Sequence, residues 1–474
     1  MPEVQTPIRQ PGSFRDPSGF VFEFNGRILR AVDEDCLRTV RELLDGGLLG
    51  RLIDEGLIVP TSLVESPDLL RRLKAVYPGQ AGFLEHERIH PVSYPYEWSP
   101  SMLADAGVCT IDLQIRLLEH GFSLKDATAY NIQFRHGRPV FIDVPSIERP
   151  PRLDVWIALG QFGRMFTNPL LLNRYKGQSL RSCFLADLDG SDVSRVQRAF
   201  GRLERLSPRL LLDVTLPYWL GRRASRLGDA GPRRLTCRQT TPAAQIINLR
   251  RLRSKLRNLA ARNGSAGHWA TYSETCSYTD RAEESKVREV RRFLTEHRPA
   301  SVLDVGSNTG RYSMLALEAG AKVVSIDSDQ DCIDLLYRRI RHCGHPILPL
   351  CVDIANPSPA IGFRNRERAS FLERVRADCV LALALIHHLH VSANLPVAGI
   401  RDMLADLCDR HLVLEFVPTD DVMFRKLMQF RVDVYQDFTL DACIRAFEER
   451  FDVLRQVPVV DSRRTLLFMR KKDA

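Results

Sequence analysis

Several things are scarce or missing in these 474 residues. No apolar run approaches the roughly 20 residues that span a bilayer. The opening MPEVQTPIRQPGSFRDPSG lacks the apolar stretch of a signal peptide. The eleven cysteines are scattered, with no CxxC pair and no His/Cys cluster at zinc spacing. That argues against a disulfide framework or a metal centre, and the thiols read as reduced residues of a cytoplasmic protein. Aromatic residues make up 8% of the chain, and none interrupts the basic stretch from Arg222 to Arg262, where twelve Arg and Lys face a single acid, Asp229. Without aromatics the stretch offers single-stranded nucleic acid no stacking platform. It reads as a solvated interdomain segment and exposed helix, although it carries much of the net charge of +9. What is present, 44% hydrophobic and 26% charged residues, suits a globular protein with a real core. The length predicts two or three domains, with oligomeric state open.

The chain is organised around residues 299–331, PASVLDVGSNTGRYSMLALEAGAKVVSIDSDQD. An apolar strand, Val302 to Val305, enters a turn containing Gly306, Asn308 and Gly310. A helix, Arg311 to Ala319, and a second strand, Lys322 to Ile326, then lead to Asp327. This is one βαβ unit of a parallel sheet, with a ligand site expected at the carboxyl ends of its strands. Glycines allow close backbone approach, and Asn308 stands where Asn tolerates left-handed backbone. Asp327 lies about twenty residues past the first glycine, where an acid binds the ribose hydroxyls of a nucleoside. A dinucleotide site is the rival reading of the turn alone. Further strands follow at Leu348–Ile354, carrying Asp353 placed to accept from an adenine amino group, and at Ala377–Ile386, ending in His387 and His388. His411–Val417 and a terminal hairpin, Phe451–Val459 with Thr465–Met469, complete the pattern.

Five alternating βα units closed by a hairpin, with the motif Asp304, Gly306, Asn308 and Gly310, resemble the class I S-adenosylmethionine (SAM) methyltransferases. The resemblance covers roughly residues 265–470 and implies a Rossmann-like, mostly parallel seven-stranded sheet with SAM as cofactor. Methyl transfer to a hydroxyl or protonated amine needs a base, which puts His387 and His388 forward, with Tyr272, Tyr278 and Glu415 behind them.

The first half begins with a hairpin at Phe20–Val32 around Asn25-Gly26 and a helix at Cys36–Glu55 interrupted at Gly46-Gly47. Helices follow at Ser66–Val76, Ser101–His120 and Val155–Phe166. In SLKDATAYNIQFRHGRPVFIDVPSIE, Asp126 and Asn131 precede a hairpin that ends in Asp143. This resembles the catalytic segment of kinases, which implies that Asp126 orients a hydroxyl while Asn131 and Asp143 hold magnesium. The first hairpin, however, has no GxGxxG and no evident lysine on a third strand. The expected fold is therefore an α/β methyltransferase domain at 265–474, a basic helical linker at 226–264, and an α+β, mostly helical kinase-like region at 1–225. Phrases such as SYPYEW, PVFIDVPS and SRRTLLFM also resemble a bacterial group of long methyltransferases, some described as nodulation host-specificity proteins. The function read from these features is methyl transfer to an O or N nucleophile of a small-molecule or carbohydrate-type acceptor, the first region contributing to the acceptor site. A bifunctional kinase-methyltransferase and a silent SAM-binding scaffold are the alternatives.

Overall fold

A computed structural model describes residues 6–226, 241–261, 280–428 and 437–472. The chain divides into two units, residues 1–263 with 361–368, and residues 264–360 with 369–474. Among the described residues no helix is long and apolar enough to cross a membrane.

The first unit opens with an antiparallel sheet of β1 (Ile8–Arg9), β2 (Gly19–Phe24), β3 (Arg27–Val32), β4 (Thr61–Leu63) and β5 (Gly82–His86), ordered β1-β2-β3-β5-β4. Asn25 and Gly26 both take positive φ, 51° and 73°, the pair a two-residue hairpin turn requires. Helices Glu34–Asp45 and Leu48–Asp54 lie between β3 and β4, and Gly47 separates them at φ 65°. Phe22, Leu29, Ala31, Leu73 and Phe83 form the core of this sheet. The buried helix Pro100–Glu119 follows, then β6 (Ser123–Leu124), β7 (Ile132–Arg135), β8 (Arg138–Phe141) and β9 (Ile147–Glu148). β6 pairs with β9 and β7 with β8.

Two expectations shift here. The helix placed at Val155 starts at Leu159 and runs through a wide turn at Gly163–Thr167 into Asn168–Lys176. The basic helix Pro242–Ala260 falls within the first unit. Leu249, Leu252, Leu256 and Leu259 make an i, i+3, i+7, i+10 stripe that buries itself. Gly107 on Pro100–Glu119 makes room, since a Cβ there would lie 2.7 Å from Leu256. The cations find local acids: Arg251 donates to Asp213 at 3.1 Å, Lys255 meets the same carboxylate, and Arg253 reaches Asp112 at 2.8 Å. Residues 361–368 also belong to this unit. Burial works against the charge of Glu367, yet hydrogen bonds from Arg15, the Phe363 N–H and Arg368 hold its carboxyl down at about 2.

The second unit is a seven-stranded sheet: β10 (Ser301–Val305), β11 (Lys322–Asp327), β12 (Ile347–Cys351), β13 (Ala377–Ala382), β14 (Cys408–Phe416), β15 (Phe451–Pro458) and β16 (Thr465–Lys471). Their order is β12-β11-β10-β13-β14-β16-β15. β10 to β14 run parallel, and β16 enters antiparallel between β14 and β15. Val302, Val323, Cys379, Leu381 and Val413 pack on Phe293 and Leu294 of the helix Asp280–His297. Residues of the opposite face, such as Leu303, Ile326, Val380 and Leu412, are buried as well. That two-sided burial explains why these strands read as unbroken apolar runs.

The unbroken runs also misplace two ends. β13 stops at Ala382, four residues before the expected Ile386, because Ala384 turns to φ 51° and leaves the sheet. β12 stops at Cys351, so Asp353 lies in the loop beyond, its Oδ1 accepting from the Ala355 N–H at 3.0 Å.

Replacing Asp213 should loosen the basic helix. The Asp213→Ala variant leaves Lys255, only 15% exposed in its side chain, and Arg251 without their carboxylate. The expected cost is about 1–3 kcal/mol in urea unfolding of the full chain. An unchanged midpoint would mean that these ion pairs do not hold the helix.

Candidate active site

The carboxyl ends of the parallel strands are in register: Val305 pairs with both Ile326 and Ala382, and Ala382 with Leu414. The loops after β10, β11, β13 and β14 therefore share one edge of the sheet, where ligands of open α/β sheets bind.

In the first loop Gly306, Asn308 and Gly310 all have positive φ, at 74°, 49° and 83°. A Cβ on Gly310 would come within 2.5 Å of Leu336, so both conformation and space require glycine there. The Asn308 N–H donates to Asp327 Oδ2 at 2.8 Å, and the Asp329 N–H to Asp327 Oδ1 at 2.9 Å. These bonds fix the carboxylate at the end of β11. Burial raises the pKa of Asp327, and the backbone N–H groups of Asp329, Asn308 and Ser328 oppose it. Asp304 behaves differently. It is turned into the fold, accepting from Ser313 Oγ at 2.6 Å, while Ser325 Oγ donates to Ser313 Oγ at 2.8 Å. Burial pushes its carboxyl up to about 6. Asp304 thus ties the helix Arg311–Glu318 to the strands and shapes the loop from below. Ser307 Oγ is buried without a partner among the described residues. An orphaned hydroxyl beside a fixed acceptor carboxylate suits a nucleoside with a polar tail, so the cradle fits SAM.

The histidine pair lies in the loop after β13. A Cβ on Gly306 would touch Leu385 at 3.3 Å, which places this loop against the glycine turn. His387 and His388 begin a helical turn rather than end a strand, and their rings stand 4.2 Å apart. His387 is 1% exposed, and neither ring nitrogen has a partner among the described residues. Burial first, then the charges of His388, Arg464 and Lys286, drive its pKa well below the ordinary histidine value. His388 is half-buried and shifted the same way by burial and Arg464.

Sequence reasoning missed a charged cluster around these rings. Glu415, fully buried near the end of β14, meets Lys286 Nζ at 2.6 Å and Arg464 at 3.6 Å. Arg464 Nε donates to Asp421 Oδ2 at 2.8 Å. Lys286 Nζ also lies 4.8 Å from the centre of the Tyr312 ring, whose buried Oη has no partner among the described residues. Lys286 on a predicted helix looked like any exposed lysine, so nothing in the sequence marked it. Tyr272 and Tyr278 lie outside the described residues.

In the first unit Asp126, Asn131 and Asp143 do converge. Asn131 Nδ2 donates to Asp126 Oδ2 at 3.5 Å and to Asp143 Oδ2 at 3.4 Å. A cation absent from the sequence expectation joins them: Arg30 of β3 donates to Asp143 Oδ1 at 2.6 Å and lies 3.5 Å from Asp16.

The strand order of the second unit, its glycine turn and the acid closing β11 define a class I SAM-dependent methyltransferase. The chain belongs to the family of nodulation protein NoeA from Rhizobium meliloti (strain 1021), to which it is 33% identical over 474 residues, covering 98% of this chain and 97% of the relative. No protein-family model matches the chain. Among solved structures it is similar to the N-methyltransferase NodS from Bradyrhizobium japonicum WM9 in complex with S-adenosylhomocysteine (13% identity, 43% of this chain and 99% of that chain, TM-score 0.32). It is also similar to magnesium protoporphyrin IX methyltransferase from Synechocystis PCC 6803 with bound SAM (17%, 45% and 88%, TM-score 0.29). A third is the bifunctional kinase-methyltransferase WbdD (15%, 43% and 42%, TM-score 0.30).

With the ribose assigned to Asp327, removing its carboxylate would take away a charged acceptor worth about 1.5–3 kcal/mol. Calorimetry on Asp327→Ala should therefore show SAM binding weakened about tenfold or more. Unchanged affinity in the folded variant would place the ribose elsewhere.

Proposed function

We propose that this chain transfers a methyl group from SAM to an oxygen or nitrogen nucleophile of a small-molecule or carbohydrate-type acceptor. Asp327, Asp353 and the turn Gly306–Gly310 would hold the donor, and His387 would serve the acceptor. The observation that carries this reading is the buried imidazole of His387, without a partner among the described residues, in the loop whose Leu385 meets the glycine turn. Bound SAM supplies an already activated methyl group, so the remaining task for the chain is to align the nucleophile and exclude water. His387 would receive the proton leaving the acceptor, and its buried setting favours the neutral ring. The name of the relative supports a role in nodulation.

For the first unit the favoured reading is a kinase-like module without phosphoryl transfer. In support, Asp143 is already neutralised by Arg30, so the acid that the resemblance assigns to magnesium has a cation of its own. Mg-ATP should show no turnover with the purified protein. Turnover that disappears in Asp143→Asn would favour the bifunctional reading.

His387→Ala should lower the methylation rate about a hundredfold, within the range for a positioned base, and leave SAM affinity nearly unchanged. The pH profile carries the sign of the pKa shift. A ring whose pKa is depressed stays neutral through the ordinary histidine range, so the rate should be flat from about pH 6 to 8. An acidic limb centred near 6.5 would show that the base is an unperturbed histidine elsewhere.

A further inference from the structure

One helix of the first unit is apolar on both of its sides. The chain runs helically without a break from Pro208 through a wide turn at Leu211–Thr215 into Leu216–Arg226. One side is fixed inward. Leu210, Val214 and Thr215 are buried, Gln197 Nε2 donates to Thr215 Oγ1 at 2.9 Å, and Asp213 holds Arg251 and Lys255. The other side carries Leu212, Leu216, Trp219 and Leu220, at i, i+4, i+7 and i+8. All four are exposed, Leu212 at 53% and Trp219 at 54%, and so are Leu203 and Leu206 just ahead of the helix. An exposed arginine stands at each end of the stripe, Arg209 a turn before Leu212 and Arg223 a turn after Trp219. The acids nearby are already engaged. From Pro208 to Arg223 the sequence holds only Asp213, which faces its two cations, and Glu204 ahead of the helix meets Lys176 at 3.0 Å.

We propose that this stripe seats the protein on an anionic lipid surface, with the helix lying in the plane of the headgroups. The proposal is independent of the chemistry assigned to the second unit. Leucines exposed in one row leave water by entering an apolar phase, and a tryptophan ring favours the boundary between that phase and water. Arginine suits the two ends, because its apolar stem follows the leucines while its guanidinium stays among phosphates. At 1.5 Å per residue the stripe from Arg209 to Arg223 is about 21 Å long, so both guanidiniums meet headgroups while the leucines between them are covered. The charges argue against a second copy of the chain as the occupant. Two stripes packed antiparallel would set Arg209 of one against Arg223 of the other, and two packed parallel would set each arginine against its counterpart. No exposed acid lies between Pro208 and Arg223 to receive them. Anionic headgroups supply the missing charge at both ends at once.

The test is sedimentation of the full chain with vesicles of phosphatidylcholine alone and of phosphatidylcholine mixed with phosphatidylglycerol. Pelleting with the mixed vesicles is expected, together with a blue shift of tryptophan fluorescence that Trp219→Phe removes. The double variant Arg209→Gln, Arg223→Gln should bind the mixed vesicles about thirtyfold more weakly, at about fivefold for each arginine near an anionic surface. Leu216→Glu should abolish pelleting. These side chains are exposed, so melting temperature and SAM affinity should match those of the unaltered chain and show that the variants are folded. Full pelleting by Leu216→Glu, or equal binding to vesicles without phosphatidylglycerol, would overturn the proposal. A fluorescence shift that persists in Trp219→Phe would do the same. So would a chain that ignores both kinds of vesicle and instead dimerises, by light scattering, through a contact that Leu216→Glu breaks.

Discussion

The buried ion pair between Lys286 and Glu415 is the constraint on which the active edge of the sheet depends. A charge in the interior is costly unless paired, and removing one partner of such a pair typically costs about 3–5 kcal/mol. Here the partners come from the helix that precedes the sheet and the end of its fifth strand. Arg464, just ahead of β16, joins the same carboxylate at one side and Asp421 at the other. Three separate parts of the chain are thereby pinned at the edge where the loops converge. On that edge, Tyr312, His387 and Ser307 carry buried polar atoms without partners among the described residues.

The first unit uses a similar pairing to a different end. Asp143, with Asn131 and Asp126 beside it, takes its cation from within the unit, Arg30 of β3.

The glycine turn and the acid closing β11 were legible because their requirements are local. Positive φ at Gly306, Asn308 and Gly310 and an acid closing the next strand are written within thirty residues of sequence. The parallel strands were legible for the same reason, since burial on two faces leaves uninterrupted apolar runs. Their ends were not. In LALALIHHL nothing distinguishes the strand from the loop, and the left-handed turn at Ala384 is imposed by tertiary contacts rather than by a glycine or asparagine. Lys286 and Arg464 were hidden because their partners are remote in sequence, and a lysine or arginine on an amphipathic element normally faces water. Arg30 was missed because its partner Asp143 lies 113 residues further along the chain. The leucines of Pro242–Ala260 carried the right signal, at helical spacing, beneath a surface of arginines that drew attention to charge.

The most direct test of the account is a crystal structure of the full chain with S-adenosylhomocysteine. The account places its ribose hydroxyls on the Asp327 carboxylate, its backbone along Gly306 to Gly310, and its sulfur facing His387. Density for the nucleoside at any other edge of the sheet, or a ligand whose ribose does not reach Asp327, would contradict it.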